Sequence, residues 1–225
     1  MKGKFIVIDG TDGTGKGTQS EILKNNLEEK GYKVILFDFP QYGQKSAGLV
    51  EEYLNGKYGS ADDVNPKIAS IFYTVDRYEA SFKIRDYLKN GFIVLSNRYT
   101  SANMGHQAGK IKDLNKRDVF LDWLDDLEFN IFKIPRPDLN ILLYANPDIN
   151  QKLVDEKDSK LRKYVGGKKR DIHEEDKNHL QKAFNAFLYV AEKYNWEKID
   201  CLKNGEMRSR KDIAKDVLES VSNIM

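Results

Sequence analysis

The chain has one cysteine, Cys201, so no disulfide can form within it. Cys201 lies in an apolar run between Ile199 and Leu202, where a core thiol is expected. Long hydrophobic runs are also missing. Stretches such as Phe5–Ile8 and Phe92–Leu95 are strand-sized and far short of the ~20 residues of a membrane span. An excess of one charge is missing too: 37 basic against 35 acidic residues leave +2, which weighs against a dedicated nucleic-acid binder. The opening residues Met1-Lys2-Gly3-Lys4 lead straight into a strand-like run with no signal-peptide pattern, so the cytoplasm is the expected compartment.

What remains is a soluble globular composition, 40% hydrophobic and 32% charged, over 225 residues. That length suits one domain, residues 1–225. Strand-like runs at Phe5–Ile8, Lys33–Phe37, Phe92–Ser96, Leu139–Tyr144 and within Trp196–Leu202 alternate with helical patterns. The helices are expected at Gly17–Lys30, Ser46–Leu54, Pro66–Leu88, Leu114–Phe129, Asp171–Tyr194 and after Ser209. Pairs of the type Asp171-x-x-Glu174 and Ser209-x-x-Asp212 cap the last two. The pattern predicts an α/β fold: a five-stranded, mostly parallel sheet with helices on both faces. Ligands then bind beyond the carboxyl ends of the strands, just after Ile8, Phe37 and Ser96.

After the first strand stands Gly10-Thr11-Asp12-Gly13-Thr14-Gly15-Lys16-Gly17-Thr18, a phosphate-binding loop between strand and helix. Gly10, Gly13, Thr14, Gly15, Gly17 and Thr18 offer backbone N–H groups and the helix its positive end. Lys16 is expected to be an exposed cation for the β and γ oxygens of ATP. The position that usually gives magnesium a hydroxyl is Gly17, with Thr18 next. Kinases resembling adenylate kinase share this Gly-Lys-Gly-Thr form.

Three further blocks are Phe39-Pro40-Gln41-Tyr42-Gly43, Tyr73-Thr74-Val75-Asp76-Arg77, and Asn97 to Gln107. Spacing i, i+4 puts Tyr73 and Arg77 on one helix face, a π surface beside a donor fork. With the loop, these blocks resemble the thymidylate kinase family from Phe5 to Tyr194. The resemblance implies a P-loop NTPase-type fold with a mobile lid, and a kinase that moves the γ-phosphoryl group of ATP onto dTMP. It implies a homodimer through helix faces that, by pattern alone, equally suit the core.

By the same resemblance, Asp12 places metal and acceptor, Phe39 and Tyr42 line the acceptor pocket, and Tyr73 stacks on the base. Arg77 bonds a base carbonyl, Arg98 grips the acceptor phosphate, and Asn103 and Gln107 meet the pyrimidine edge. Mg²⁺ is expected near Thr18, Asp12 and Asn97. His106 stands where the family has a tyrosine against the deoxyribose, Asn97 where it has an aspartate, and Ala102 at a common serine position. Residues 155–170 carry seven basic and three acidic residues and match the lid, although a solvated loop has the same composition. Gly13 leaves the P-loop without an arginine, so Arg162 or Arg170 is expected to supply it. The partners expected are small nucleotides, with no nucleic acid and no membrane. Rival readings are a kinase acting on dUMP, dGMP or AMP, a non-catalytic nucleotide-binding regulator, and a nucleic-acid module using the basic stretch.

Overall fold

The computed structural model describes residues 3–147 and 177–225. Five parallel strands form the sheet: β1 (Lys4–Gly10), β2 (Val34–Asp38), β3 (Ile93–Asn97), β4 (Leu139–Tyr144) and β5 (Glu197–Asp200). Their order is β2-β3-β1-β4-β5, with β1 central. Ile8 is level with Asn97, and Asp38 is level with Asn97 from the other side, so three strand ends meet at one edge.

Alternation along β1 assigns the two faces. Ile6 and Ile8 pack with Leu23 and Leu27 of α1 (Lys16–Glu29). Ile213 and Val217 of a C-terminal helix join the same layer. Phe5 and Val7 turn the other way, onto Ala80 and Ile84 of the long helix α3 (Pro66–Lys89), which follows the short α2 (Gly48–Leu54). Beside them, Phe120, Leu121 and Leu124 of α5 (Leu114–Asp125) pack with Phe187 and Val190 of α6 (Lys177–Lys193). The fully buried β1 explains its unbroken apolar run. Cys201 is buried in the first layer, and burial pushes its thiol up to about 12.

Three elements differ from the sequence reading. The stretch after β3 winds into α4 (Thr100–His106), which no apolar period announces. The expected helix to Phe129 ends at Asp125 and continues as a wider π-helical turn, Asp126–Ile131. A small hairpin, β6 (Leu202–Lys203) and β7 (Glu206–Met207), precedes the last helix, α7 (Arg210–Ser222). Ser209 caps α7 as expected, its Oγ accepting from the Asp212 N–H at 3.1 Å. The Asp171/Glu174 cap lies outside the described residues. Among those described, no helix is long and apolar enough to cross a membrane.

Candidate active site

The phosphate loop begins where β1 runs out. Gly10 has φ 149°, and a Cβ there would lie 1.8 Å from the Leu143 carbonyl oxygen, so only glycine fits. The loop passes through left-handed Gly13 and Gly15 into α1, whose first residue is Lys16. Lys16 is not the exposed cation expected from sequence. It is only 6% exposed, and its Nζ donates to the carbonyls of Gly10 and Thr11, both at 3.0 Å. The lysine folds back over its own loop because α1 starts at that residue, which aims the side chain at the strand end. Thr14 braces the same curl, its hydroxyl donating to the Thr11 carbonyl at 2.7 Å. Gly17 and Thr18 lie on the exposed side of the first turn.

Asp12 joins this loop to the next strand end. Its Oδ1 accepts from Lys16 Nζ at 3.3 Å and from Arg98 Nη2 at 2.6 Å. Arg98 adopts a left-handed backbone, φ 65°, costing roughly 1–3 kcal/mol. Its N–H donates to the Ile8 carbonyl at 3.0 Å, and its own carbonyl accepts from the Ser96 hydroxyl at 2.6 Å. Those two bonds hold the turn that aims the guanidinium back at Asp12. Desolvation opposes the Arg98 charge, but Asp12, Tyr42, Asp9 and Asp38 outweigh it and raise its pKa.

One cleft brings together Asp12, Phe39, Tyr42, Tyr73, Arg77, Arg98, Asn103, His106 and Gln107. Tyr73 and Arg77 reach it from one face of α3, as their spacing requires. Arg77 is more constrained than a free donor fork. It is 1% exposed, its Nε and Nη2 pair with both oxygens of buried Glu128, and its Nη1 donates to the Tyr99 carbonyl at 3.3 Å. Of the five N–H groups of a guanidinium, these bonds engage three. Asn103 Nδ2 donates to the Ser70 carbonyl at 3.3 Å. Gln107 is 1% exposed, and its Oε1 has no hydrogen-bond partner among the described residues. His106 stacks on His179 with ring centroids 5.6 Å apart. Desolvation, with further pressure from His179, Arg98 and Lys16, pushes His106 down to about 3 against the pull of Asp12, so it is neutral near pH 7.

Two functional carboxylates escaped the sequence reading. Glu128 anchors Arg77 and accepts from the Thr74 hydroxyl at 2.9 Å. The signal was its place four and eight residues after Leu124 and Phe120, on the buried stripe of the helix. Asp76 pins the Phe39–Gly43 turn, accepting from the Gln41 N–H at 2.8 Å and the Ser46 hydroxyl at 2.7 Å. It stood beside Arg77 in the sequence, with nothing to mark it out.

Of the residues expected near a metal, Asp12 gives one oxygen to two cations, whereas Asn97 Oδ1 has no hydrogen-bond partner among the described residues. No group of three or more His, Cys, Asp or Glu that could hold a metal occurs among them. The oxygens present suit a hard cation that draws its other ligands from phosphates and water, as Mg²⁺ does. Arg162, Arg170 and the lid span 155–170 lie outside the described residues.

Residues 8–209 match the family profile described as Thymidylate kinase. The chain belongs to the thymidylate kinase family. As a thymidylate kinase it is an enzyme that phosphorylates dTMP to dTDP. Among curated relatives, thymidylate kinase of Mycobacterium tuberculosis is 29% identical over 146 residues, 64% of this chain and 67% of that protein. Probable thymidylate kinase of Thermococcus onnurineus is 37% identical over 145 residues, 62% of this chain and 65% of that one. The solved thymidylate kinase of Candida albicans superposes with a TM-score of 0.71 at 20% identity, covering 99% of this chain and 92% of that one, and agrees in fold.

Proposed function

We propose that this thymidylate kinase works by holding two phosphates side by side, with ATP as donor and dTMP as acceptor. The observation that carries the reading is the shared Asp12 oxygen, bonded at once to Lys16 of the P-loop and to Arg98 across the sheet edge. One carboxylate apart, these cations set the donor γ-phosphate against the acceptor phosphate. An acceptor oxygen attacks the γ-phosphorus, the bond to the β,γ-bridging oxygen breaks, and dTDP and ADP result. Lys16 and the loop N–H groups take up donor charge, and Arg98 orients the nucleophile. Asn97, Thr18 and Asp12 would stand around the Mg²⁺ that neutralises the triphosphate. Arg162 or Arg170 neutralises the moving group from a lid at 155–170 of a single domain, residues 1–225. At least one of Arg162→Ala and Arg170→Ala is then expected to lose kcat with little change in acceptor KM, and normal turnover by both would remove the lid from the mechanism.

The cleft also supports the choice of base. Tyr73 offers a ring to any flat base. The Arg77 N–H groups not engaged by Glu128 and Tyr99 would suit a carbonyl, and Gln107 Oε1 would suit an N–H. Thymine presents O4 beside N3–H, whereas cytosine presents an amino group beside a bare N3 and would leave buried groups unpaired, at roughly 1–3 kcal/mol each. A coupled assay over a panel of monophosphates is expected to give dTMP at least ~10-fold higher kcat/KM than dCMP or AMP, with dUMP discriminated less. Equal use of dCMP would refute the base-edge assignment and leave the kinase reading intact.

The enzyme is further proposed to be a cytoplasmic homodimer. Ile68, Ile71, Val75, Tyr78 and Phe82 form an exposed stripe along α3 at alternating spacings of three and four, the form of a helix-pairing seam. Sedimentation of wild type as a dimer and of Val75→Glu as a monomer is the expected result. A monomeric wild type would reject the proposal.

A further inference from the structure

The sheet edge beside the P-loop holds a carboxylate with no part in the scheme above. Asp38 ends β2 and Asn97 ends β3, level with each other in the ladder. Asn97 Nδ2 donates to Asp38 Oδ1 at 2.8 Å. The nearby cations are committed elsewhere: Arg98 Nη2 lies 2.6 Å, and Lys16 Nζ 3.3 Å, from the oxygen of Asp12. Burial raises the Asp38 carboxyl above its ordinary value, while Arg98, the Asn97 hydrogen bond and Lys16 pull the other way, so Asp38 lies within electrostatic reach of both phosphate-binding cations. Asn97 Oδ1, on the same amide, has no hydrogen-bond partner among the described residues.

Gly17 completes the arrangement. A P-loop helix usually places a hydroxyl here to reach the nucleotide's magnesium. This chain has none, and a Cβ built on Gly17 would lie 3.6 Å from Asn97 Nδ2. The Asn97–Asp38 pair therefore stands over the first turn of α1, next to the position from which the hydroxyl is missing. The pair offers hard oxygens only, one of them anionic. That is the donor set Mg²⁺ takes when it keeps several waters and binds one or two carboxylates with substrate phosphates.

We propose that Asp38 is a further carboxylate that, beside Asp12, holds the nucleotide's divalent cation, directly or through a coordinated water, and that Asn97 is its positioning residue. The assignment rests on the P-loop reading of Lys16 and deepens it. Asn97 fixes one Asp38 oxygen and leaves the other for the ion, as outer-shell amides do around metal-directed carboxylates. Moving the charge by one strand then preserves the site, because the Asp38→Asn/Asn97→Asp double variant rebuilds the same pair in reverse.

The experiment is calorimetric titration of ADP into wild type, Asp38→Asn and the double variant, each with and without Mg²⁺, with melting curves alongside. In wild type, Mg²⁺ is expected to tighten ADP binding. In Asp38→Asn, about 10-fold of that gain is expected to vanish while metal-free ADP affinity and melting temperature hold. The double variant is expected to recover most of the gain, which a loss caused by misfolding would not allow. A full Mg²⁺ gain in Asp38→Asn, or no recovery in the double variant, overturns the assignment alone. A wild type that binds ADP with no Mg²⁺ gain overturns the assignment and the metal reading together. A wild type that binds no ADP overturns the P-loop reading beneath both.

Discussion

Replacing Lys16 with alanine is expected to lower kcat/KM by ~10²-fold or more, the usual loss for a group that neutralises charge growing in the transition state. The contacts of Lys16 add a second expectation. Its ammonium donates to the carbonyls of Gly10 and Thr11 and touches Asp12, with 6% exposure. Alanine removes these bonds and leaves loop carbonyls facing inward, a loss of about 1–3 kcal/mol. At roughly 2–4 °C per kcal/mol for a chain of this length, a lower melting temperature accompanies the lost activity. A folded Lys16→Ala protein retaining more than about a tenth of the wild-type rate would reject the P-loop assignment.

The largest stability effect is expected at Glu128. Glu128 is 0% and Arg77 1% exposed, and both carboxylate oxygens are engaged by the guanidinium. Glu128→Ala leaves a buried cation whose remaining hydrogen-bond partner is the Tyr99 carbonyl, and it leaves the Thr74 hydroxyl only the Ser70 carbonyl as acceptor. Breaking such a pair costs about 3–5 kcal/mol, equivalent to a drop of roughly 6–20 °C. Acceptor binding is expected to weaken as well, because Arg77 is no longer locked against the cleft. Replacing the pair together, as Arg77→Met with Glu128→Leu, is expected to restore most of the stability and none of the base selectivity. Thermal melting of wild type and the two variants checks this. A Glu128→Ala protein melting within about 2 °C of wild type would mean that the pair contributes almost nothing.

What the sequence revealed follows from whether a signal is local. The P-loop is contiguous, its glycines have a backbone reason, and the flanking strand and helix show their periods. The α3 block was legible for a similar reason, since Tyr73 and Arg77 are one turn apart. Glu128 lies 51 residues from Arg77, and nothing local distinguishes it from a surface acid. Only its register with Phe120 and Leu124 marks it as buried. Helix α4 is polar and one to two turns long, and tertiary packing holds it: a Cβ on Gly105 would run into the Phe187 ring at 2.4 Å. Lys16 was read as exposed because lysine usually is, whereas the start of α1 aims it into the loop. The β6–β7 hairpin turns on Asn204-Gly205, both with positive φ, a signal hidden by strands of two residues each.

The shared oxygen of Asp12 has a consequence for how the two nucleotides sense each other. Lys16 and Arg98 divide one negative charge between them. A phosphate that draws Lys16 away leaves that charge to Arg98 alone, and a phosphate on Arg98 returns it to Lys16. With donor on Lys16 and acceptor on Arg98 as proposed, the donor's affinity is expected to depend on acceptor occupancy, through a contact made entirely of protein atoms. Thermodynamic linkage makes the effect mutual: by whatever factor one nucleotide changes the other's dissociation constant, it is changed in return.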